Sequence, residues 1–187
     1  MEHASERTLV DRCRSGDDEA LAELVDQYKN LVFGVISQVV ADRSRVEDLA
    51  QDVFLRIHRG LPSFRGESKL STWIYRIVRN VCYEAHPGRA HTISLDTRDA
   101  DGRSAWQPGA TDRAFSDFEL RDELEKAIAE LPDQWRLLIS AHYFAGQPYQ
   151  ELAEIFEMPI GTVKTQLHRA KLKLREVMLK RLGTKND

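Results

Sequence analysis

At 187 residues, with 42% apolar and 30% charged side chains, the chain has room for one large domain or two small ones of a globular protein. No apolar run approaches the roughly 20 residues that cross a bilayer, and the two cysteines, Cys13 and Cys82, form no CxxC pair, which argues against a membrane-inserted or disulfide-stapled protein. The net charge of −3 is unfavourable for a nucleic-acid binder only if charge is spread evenly, and here it is not.

Asp17 to Phe54 carries nine acids against three bases, a net −6. Arg56 to Arg89 carries seven bases (Arg56, Arg59, Arg65, Lys69, Arg76, Arg79, Arg89) against Glu67 and Glu84, a net +5. Ile160 to Arg181 carries seven bases against Glu176 alone, a net +6. Two zones suit phosphates, and the acidic zone requires a different kind of partner.

The N-terminus, MEHASERTLVDRCRSGDDEA, has no apolar h-region, so a reduced, cytoplasmic chain without membrane insertion is expected. Three helices make up the first half. In the first, Leu21, Leu24, Val25, Tyr28, Leu31, Val32, Val35, Ile36 and Val39 keep a 3.6-residue period. The second is expected to start at a capping box, Ser44-Arg45-Val46-Glu47. Its stripe is Val46, Leu49, Ala50, Val53, Phe54 and Ile57, and Gly60-Leu61-Pro62 ends it. The third runs from about Leu70 to Tyr83, with Leu70, Trp73, Ile74, Ile77, Val78, Val81 and Cys82 facing inward. Such apolar faces cannot stand alone in water and predict one helical domain.

From His86 to Ala114 the periodicity stops, and Pro87-Gly88, Asp101-Gly102 and Pro108-Gly109 mark a flexible linker. A further capping box, Ser116-Asp117-Phe118-Glu119, predicts a helix lined by Leu120, Leu124, Ala127, Ile128 and Leu131, stopped by Pro132. A helix from about Asp133 to Phe144 follows. Beyond Gly146-Gln147-Pro148, a short amphipathic helix (Glu151 to Phe156), a break at Glu157-Met158 and a second helix opened by Pro159 give the layout of a helix-turn-helix. Val163, Leu167, Ala170 and Leu174 bury one side of that second helix. Lys164, Thr165, His168, Arg169, Lys171 and Arg175 occupy the other, as the major-groove helix of the motif requires. A solvated helical hairpin is the plainer alternative.

Two more constellations stand out. The loop Ser63 to Lys69, with Tyr75, Arg76, Arg79, Asn80 and Tyr83 expected outside the buried stripe, combines aromatics, an amide and cations in the manner suited to single-stranded nucleic acid. Trp73 sits at core spacing. On the second helix, Asp48, Gln51, Asp52, Leu55, Arg56 and Arg59 avoid the apolar stripe, and mixed charge around the outward Leu55 fits a protein contact. Cys82, His86 and His91 match no standard zinc spacing, so no metal site and no cofactor are expected, and no catalytic constellation is present.

With these residues in hand, the chain resembles the extracytoplasmic-function (ECF) sigma factors, subunits that direct bacterial RNA polymerase to promoters. GDDEALAELVDQY and VEDLAQDVFLRIHRGLPSFRGESKLSTWIYRIVRN resemble the family's region 2, and ELPDQWRLLISAHYFAGQPYQELAEIFEMPIGTVKTQLHRAKLKLRE resembles its region 4. The resemblance implies an all-α protein of two small helical domains, region 2 over 1–86 and region 4 over 116–187, joined by a linker over 87–115. It implies that Asp48, Gln51, Asp52, Leu55 and Arg56 grip the polymerase β′ clamp helices, and that region 4 meets the β flap. Phe64, Arg65, Ser68, Lys69, Tyr75, Arg76, Arg79 and Asn80 would engage the −10 element as a single strand. Lys164, Thr165, His168, Arg169, Lys171 and Arg175 would read the −35 duplex. Family members are commonly held by an anti-sigma factor until a signal arrives. One departure is local: after Asn80 the chain reads VCYEAHPGR in place of a dense basic run, so the third helix should stop early. A stand-alone helix-turn-helix regulator and a sigma-mimicking adaptor that sequesters an anti-sigma factor are the competing readings.

Overall fold

The computed structural model describes residues 2–40, 42–85 and 117–183, and every regular element among them is helical. The elements are α1 (Glu2–Arg14), α2 (Asp18–Val39), α3 (Val46–Gly60) and α4 (Leu70–Glu84) in the first half, and α5 (Asp117–Ala129), α6 (Asp133–Ile139), α7 (Tyr149–Phe156) and α8 (Ile160–Gly183) in the second. The expected linker, together with His86, His91 and the Ser116 end of the second capping box, lies outside the described residues.

Helix α1 was not expected from the sequence. Among its described side chains Leu9 and Val10 are the buried apolar ones, with Cys13 half-buried beside them, too few to make a visible period. It is held by its end: Asp17 caps α2 by accepting from Ala20 N–H at 3.0 Å and takes Arg12 Nε at 2.8 Å. The start of α3 differs from the expected capping box. Asp42 is the capping residue, accepting from Ser44 N–H at 3.0 Å and Ser44 Oγ at 2.7 Å, and a single 3₁₀ turn (Arg43–Arg45) leads into the helix. The carboxylate two residues upstream accepts both Ser44 donors, and the 3₁₀ turn that it caps puts Ser44 ahead of the first turn of α3, whose capping position is Arg45.

The stripe residues Leu24, Tyr28, Val32, Ile36, Ala50, Val53, Ile57, Leu70, Ile74 and Val78 are buried where α2, α3 and α4 meet. The same apolar cluster continues into Leu137, Leu138, Ala141, Leu152, Ile155, Phe156, Val163 and Leu167 of the second half. The two helical domains therefore pack on each other, α4 against α7 and α2 against α5 and α6. Below them Leu131, Ile139 and Ala170 form a smaller cluster, closed by Trp135, whose Nε1–H donates to the buried Gln166 Oε1 at 2.9 Å and fixes α8 on α6. Past α6 the backbone widens by one residue over Ser140–Phe144, with Ala145 N–H reaching Ser140 C=O at 3.0 Å. Ser140 Oγ donates to Gln38 of α2, a polar tie between the domains.

Candidate nucleic-acid interfaces

The helix-turn-helix forms where the sequence put it. Helix α7 ends at Glu157, which adopts φ 55°, ψ 43°, the left-handed conformation that closes helices and is normally given to glycine. Met158 and Pro159 complete the turn, and Val163 N–H bonds back to Pro159 C=O at 3.1 Å as α8 begins. Val163, Leu167 and Ala170 are buried, Leu174 is half-buried, and Lys164, Thr165, Lys171 and Arg175 are exposed. His168 and Arg169 are half-buried at the edge of the same face. Lys164 Nζ lies 6.0 Å from the Tyr149 ring centroid, and Tyr149 rests on His142 with centroids 4.9 Å apart. One side of α8 is thus a cationic surface of the kind that tracks phosphate and reads base edges.

The loop after α3 is built from both flanks. Gly60 lets Trp73 approach so closely that an added Cβ would meet Trp73 Cζ2 at 2.8 Å, and Phe64 packs on the Trp73 ring at 5.1 Å between centroids. Trp73 is a half-buried support for Phe64, in keeping with its core spacing. Gly66 (φ 70°) supplies the left-handed turn of the loop. Arg14 of α1 donates from Nε to Leu61 C=O at 3.1 Å and from Nη2 to Phe64 C=O, a positioning residue that motif reading missed because α1 itself was not visible. Between α1 and the loop lies a cleft of about 350 Å³ lined by Glu6, Arg7, Arg14, Phe64, Arg65 and Ser68 among others. An aromatic ring beside mixed polar groups is suited to a single unstacked base.

Helix α4 departs from expectation. Tyr75, placed on the outward side by its spacing, is fully buried, and so are Thr72 and, nearly, Arg79. The reason is that α4 is covered on two sides: α2 and α3 take the apolar stripe, and α7 takes part of the polar one. Tyr75 Oη has no hydrogen-bond partner, and burial holds its hydroxyl well above the ordinary tyrosine pKa. Asn80 stays exposed, its Oδ1 accepting from Arg79 Nε at 3.1 Å and Nη2 at 2.9 Å. Arg79 Nη2 also reaches Glu157 Oε1 at 2.9 Å, and its Nη1 donates to Ile155 C=O. Arg76 Nε donates to Glu154 C=O at 3.1 Å. Glu151 accepts from Lys69 Nζ and, at 3.0 Å, from Thr72 Oγ1. The helix stops at Glu84, as the missing basic run implied.

On α3, Asp48 and Gln51 are exposed, Leu55 is 47% exposed, and Asp52 and Arg56 are half-buried. Arg56 bonds both Asp52 oxygens (3.1 and 3.0 Å) and both Glu84 oxygens (2.8 and 2.6 Å). The doubly paired guanidinium has its pKa raised and holds the Glu84 carboxyl below the usual carboxylate range. Glu84, which motif reading did not single out, fixes this mixed-charge patch to α4.

Burial pushes the Cys82 thiol up to about 12, so it is an inert core residue. Among the described residues no group of three His, Cys, Asp or Glu side chains is arranged to hold a metal, and no helix is long and apolar enough to cross a membrane.

Residues 24–91 match the family model for sigma-70 region 2, and residues 121–174 match that for sigma-70 region 4. The chain is 31% identical over 179 residues to the RNA polymerase sigma-H factor of Pseudomonas aeruginosa, covering 89% of this chain and 90% of that one. It is 32% identical over 177 residues to the ECF RNA polymerase sigma-E factor of Escherichia coli, covering 91% and 92%. In fold it resembles CnrH, solved with the cytosolic domain of CnrY, at a TM-score of 0.68 and 19% identity over 92% of this chain and 96% of that one. It also resembles the sigma factor RpoE of Bartonella quintana, solved with the anti-sigma factor NepR, at a TM-score of 0.62 and 22% identity over 84% and 95%.

Proposed function

Because the chain belongs to the sigma-70 family, among the ECF RNA polymerase sigma factors, we propose that it binds core RNA polymerase and directs it to a specific class of promoters, with no chemistry of its own. The observation that carries this reading is that region 2 and region 4 occur in order in one chain that pairs nearly end to end with sigma factors. Such a protein works inside the cell, where RNA polymerase is, and the cytoplasm is its proposed compartment.

In this account residues 1–86 form the domain that meets polymerase and the −10 element, 87–115 the linker, and 116–187 the domain that meets the −35 element. Asp48, Gln51, Asp52, Leu55 and Arg56 contact the β′ clamp helices, and region 4 contacts the β flap. Phe64, Arg65 and Ser68, lining the cleft beside α1, receive an unstacked base, with Lys69, Arg76, Arg79 and Asn80 following the strand. The exposed face of α8, from Lys164 to Arg175, reads the −35 duplex. Flipping a base costs a few kcal/mol, and joining two weak contacts on one polymerase supplies the effective concentration that neither has alone. An anti-sigma factor is the proposed regulator, since the fold is shared with the sigma factor RpoE, solved with the anti-sigma factor NepR.

Transcription with purified core polymerase separates this reading from its rivals. A sigma factor yields transcripts with defined starts. A stand-alone helix-turn-helix regulator binds duplex DNA but gives no start without another sigma factor, and a sigma-mimicking adaptor gives neither.

A further inference from the structure

The cations at the start of α4 and along it that suit a nucleic-acid strand already have partners inside the chain, and beyond the Arg79–Asn80 contact within α4 itself further acceptors are supplied by α7 and its capping residue Glu157. Lys69 and Thr72 meet Glu151, whose side chain is only 12% exposed, and Arg79 meets Glu157. Arg76 and Arg79 also donate to the carbonyls of Glu154 and Ile155, two acceptors that the end of α7 leaves without intrahelical partners. A guanidinium at a helix C-terminus meets the negative end of the helix dipole as well as the carbonyls. Carboxylates spaced along α7, together with its terminal carbonyls, present α4 with what a phosphate backbone would present.

A second observation bears on the same contact. Glu157 holds a left-handed conformation that costs a side-chain-bearing residue about 1 kcal/mol relative to glycine. Glycine there would relieve the backbone but remove the carboxylate that meets Arg79.

We infer that α7 is an intramolecular competitor for the strand-binding side of α4, so that the free chain rests in a self-blocked state. The proposal rests on the assignment of α4 to single-stranded DNA and adds to it a regulated order of events. In the resting state Lys69, Arg76 and Arg79 are engaged by α7, while the cleft at Phe64 and the exposed face of α8 remain open. Separation of the two domains then frees the strand-binding cations, and the free protein opens no promoter by itself.

The test uses the full chain carrying Glu151→Gln and Glu157→Gln, with Glu19→Gln and Glu47→Gln as a control for the change in net charge. Small-angle X-ray scattering reads the opening of the chain, and anisotropy of a fluorescein-labelled, mixed-sequence single-stranded DNA reads access to α4. The α7 variant is expected to have a larger radius of gyration and to bind the probe about tenfold more tightly, with neither change in the control. An unchanged radius overturns the proposal, and so does a larger radius with unchanged probe affinity. Adding Arg76→Ala and Asn80→Ala to the opened variant reads α4 itself. If the probe ignores them, the assignment of α4 fails, and that failure is distinguishable from failure of the α7 contact.

Discussion

Thr72 Oγ1 donates to Glu151 Oε2 at 3.0 Å, joining the buried side of α4 to the first turn of α7 across 79 positions of sequence. Around this bond the region 2 and region 4 domains share one apolar core, and the polar face of α4 is divided between solvent and α7.

The Arg79–Glu157 pair makes the contact pH-dependent. Arg79 holds the Glu157 carboxyl below its ordinary value of 4.5. A carboxyl depressed in the folded state stabilises fully above its unfolded pKa, and that stabilisation is lost as pH falls through the folded value. Glu157 is largely exposed, so the contribution is small. Thermal melts of the wild type and Glu157→Gln should differ at neutral pH and converge as pH falls below 4.5 and through the depressed folded value. A difference that persists in acid would mean that the ion pair is not its source.

Tyr75 offers a contrast between burial and function. A buried hydroxyl without a partner costs about 1–3 kcal/mol in desolvation, so Tyr75→Phe should be neutral or stabilising. If Tyr75 serves promoters only by packing, transcription by the Phe variant is unchanged. A loss of promoter opening with an unchanged melting temperature would instead show that the hydroxyl meets DNA once α4 is uncovered.

Gly60→Ala forces a Cβ into Trp73, which in turn carries Phe64. Overpacking of this kind costs about 1–3 kcal/mol. Thermal unfolding should drop accordingly, and the open-complex signal in a permanganate footprint should fall more than core binding does.

The two DNA-distal and DNA-proximal surfaces should separate by mutation. Arg169→Ala is expected to weaken −35-dependent initiation about tenfold while leaving affinity for core polymerase unchanged. Asp52→Ala should do the reverse in a competition assay for core. It should leave the melting temperature nearly unaltered, because Arg56 keeps Glu84 and a half-exposed ion pair contributes about 1 kcal/mol.

Periodicity made α2, α3, α4 and the helix-turn-helix legible, because a 3.6-residue apolar stripe is a local signal of burial. It did not reveal α1, whose buried residues are too few to form a stripe, nor the cap at Asp42, which accepts from Ser44 and caps a 3₁₀ turn ahead of α3. The exposure of Tyr75 and Arg79 was misread for a different reason. Helical spacing reports the face turned to the nearest neighbours, whereas α7 reaches α4 from some 80 residues away, beyond the linker. The cationic face of α8 was readable because Lys164, Thr165, Lys171 and Arg175 are exposed, so pattern and exposure coincide there, with His168 and Arg169 half-buried at its edge.

The most direct test is 5′-end sequencing of transcripts made by core RNA polymerase on genomic DNA with and without this chain. The account predicts a set of starts that depends on the chain, preceded by two shared motifs near −10 and −35, the second of which Arg169→Ala relaxes. Starts that are identical with and without the protein, or that share no upstream motif, would contradict it.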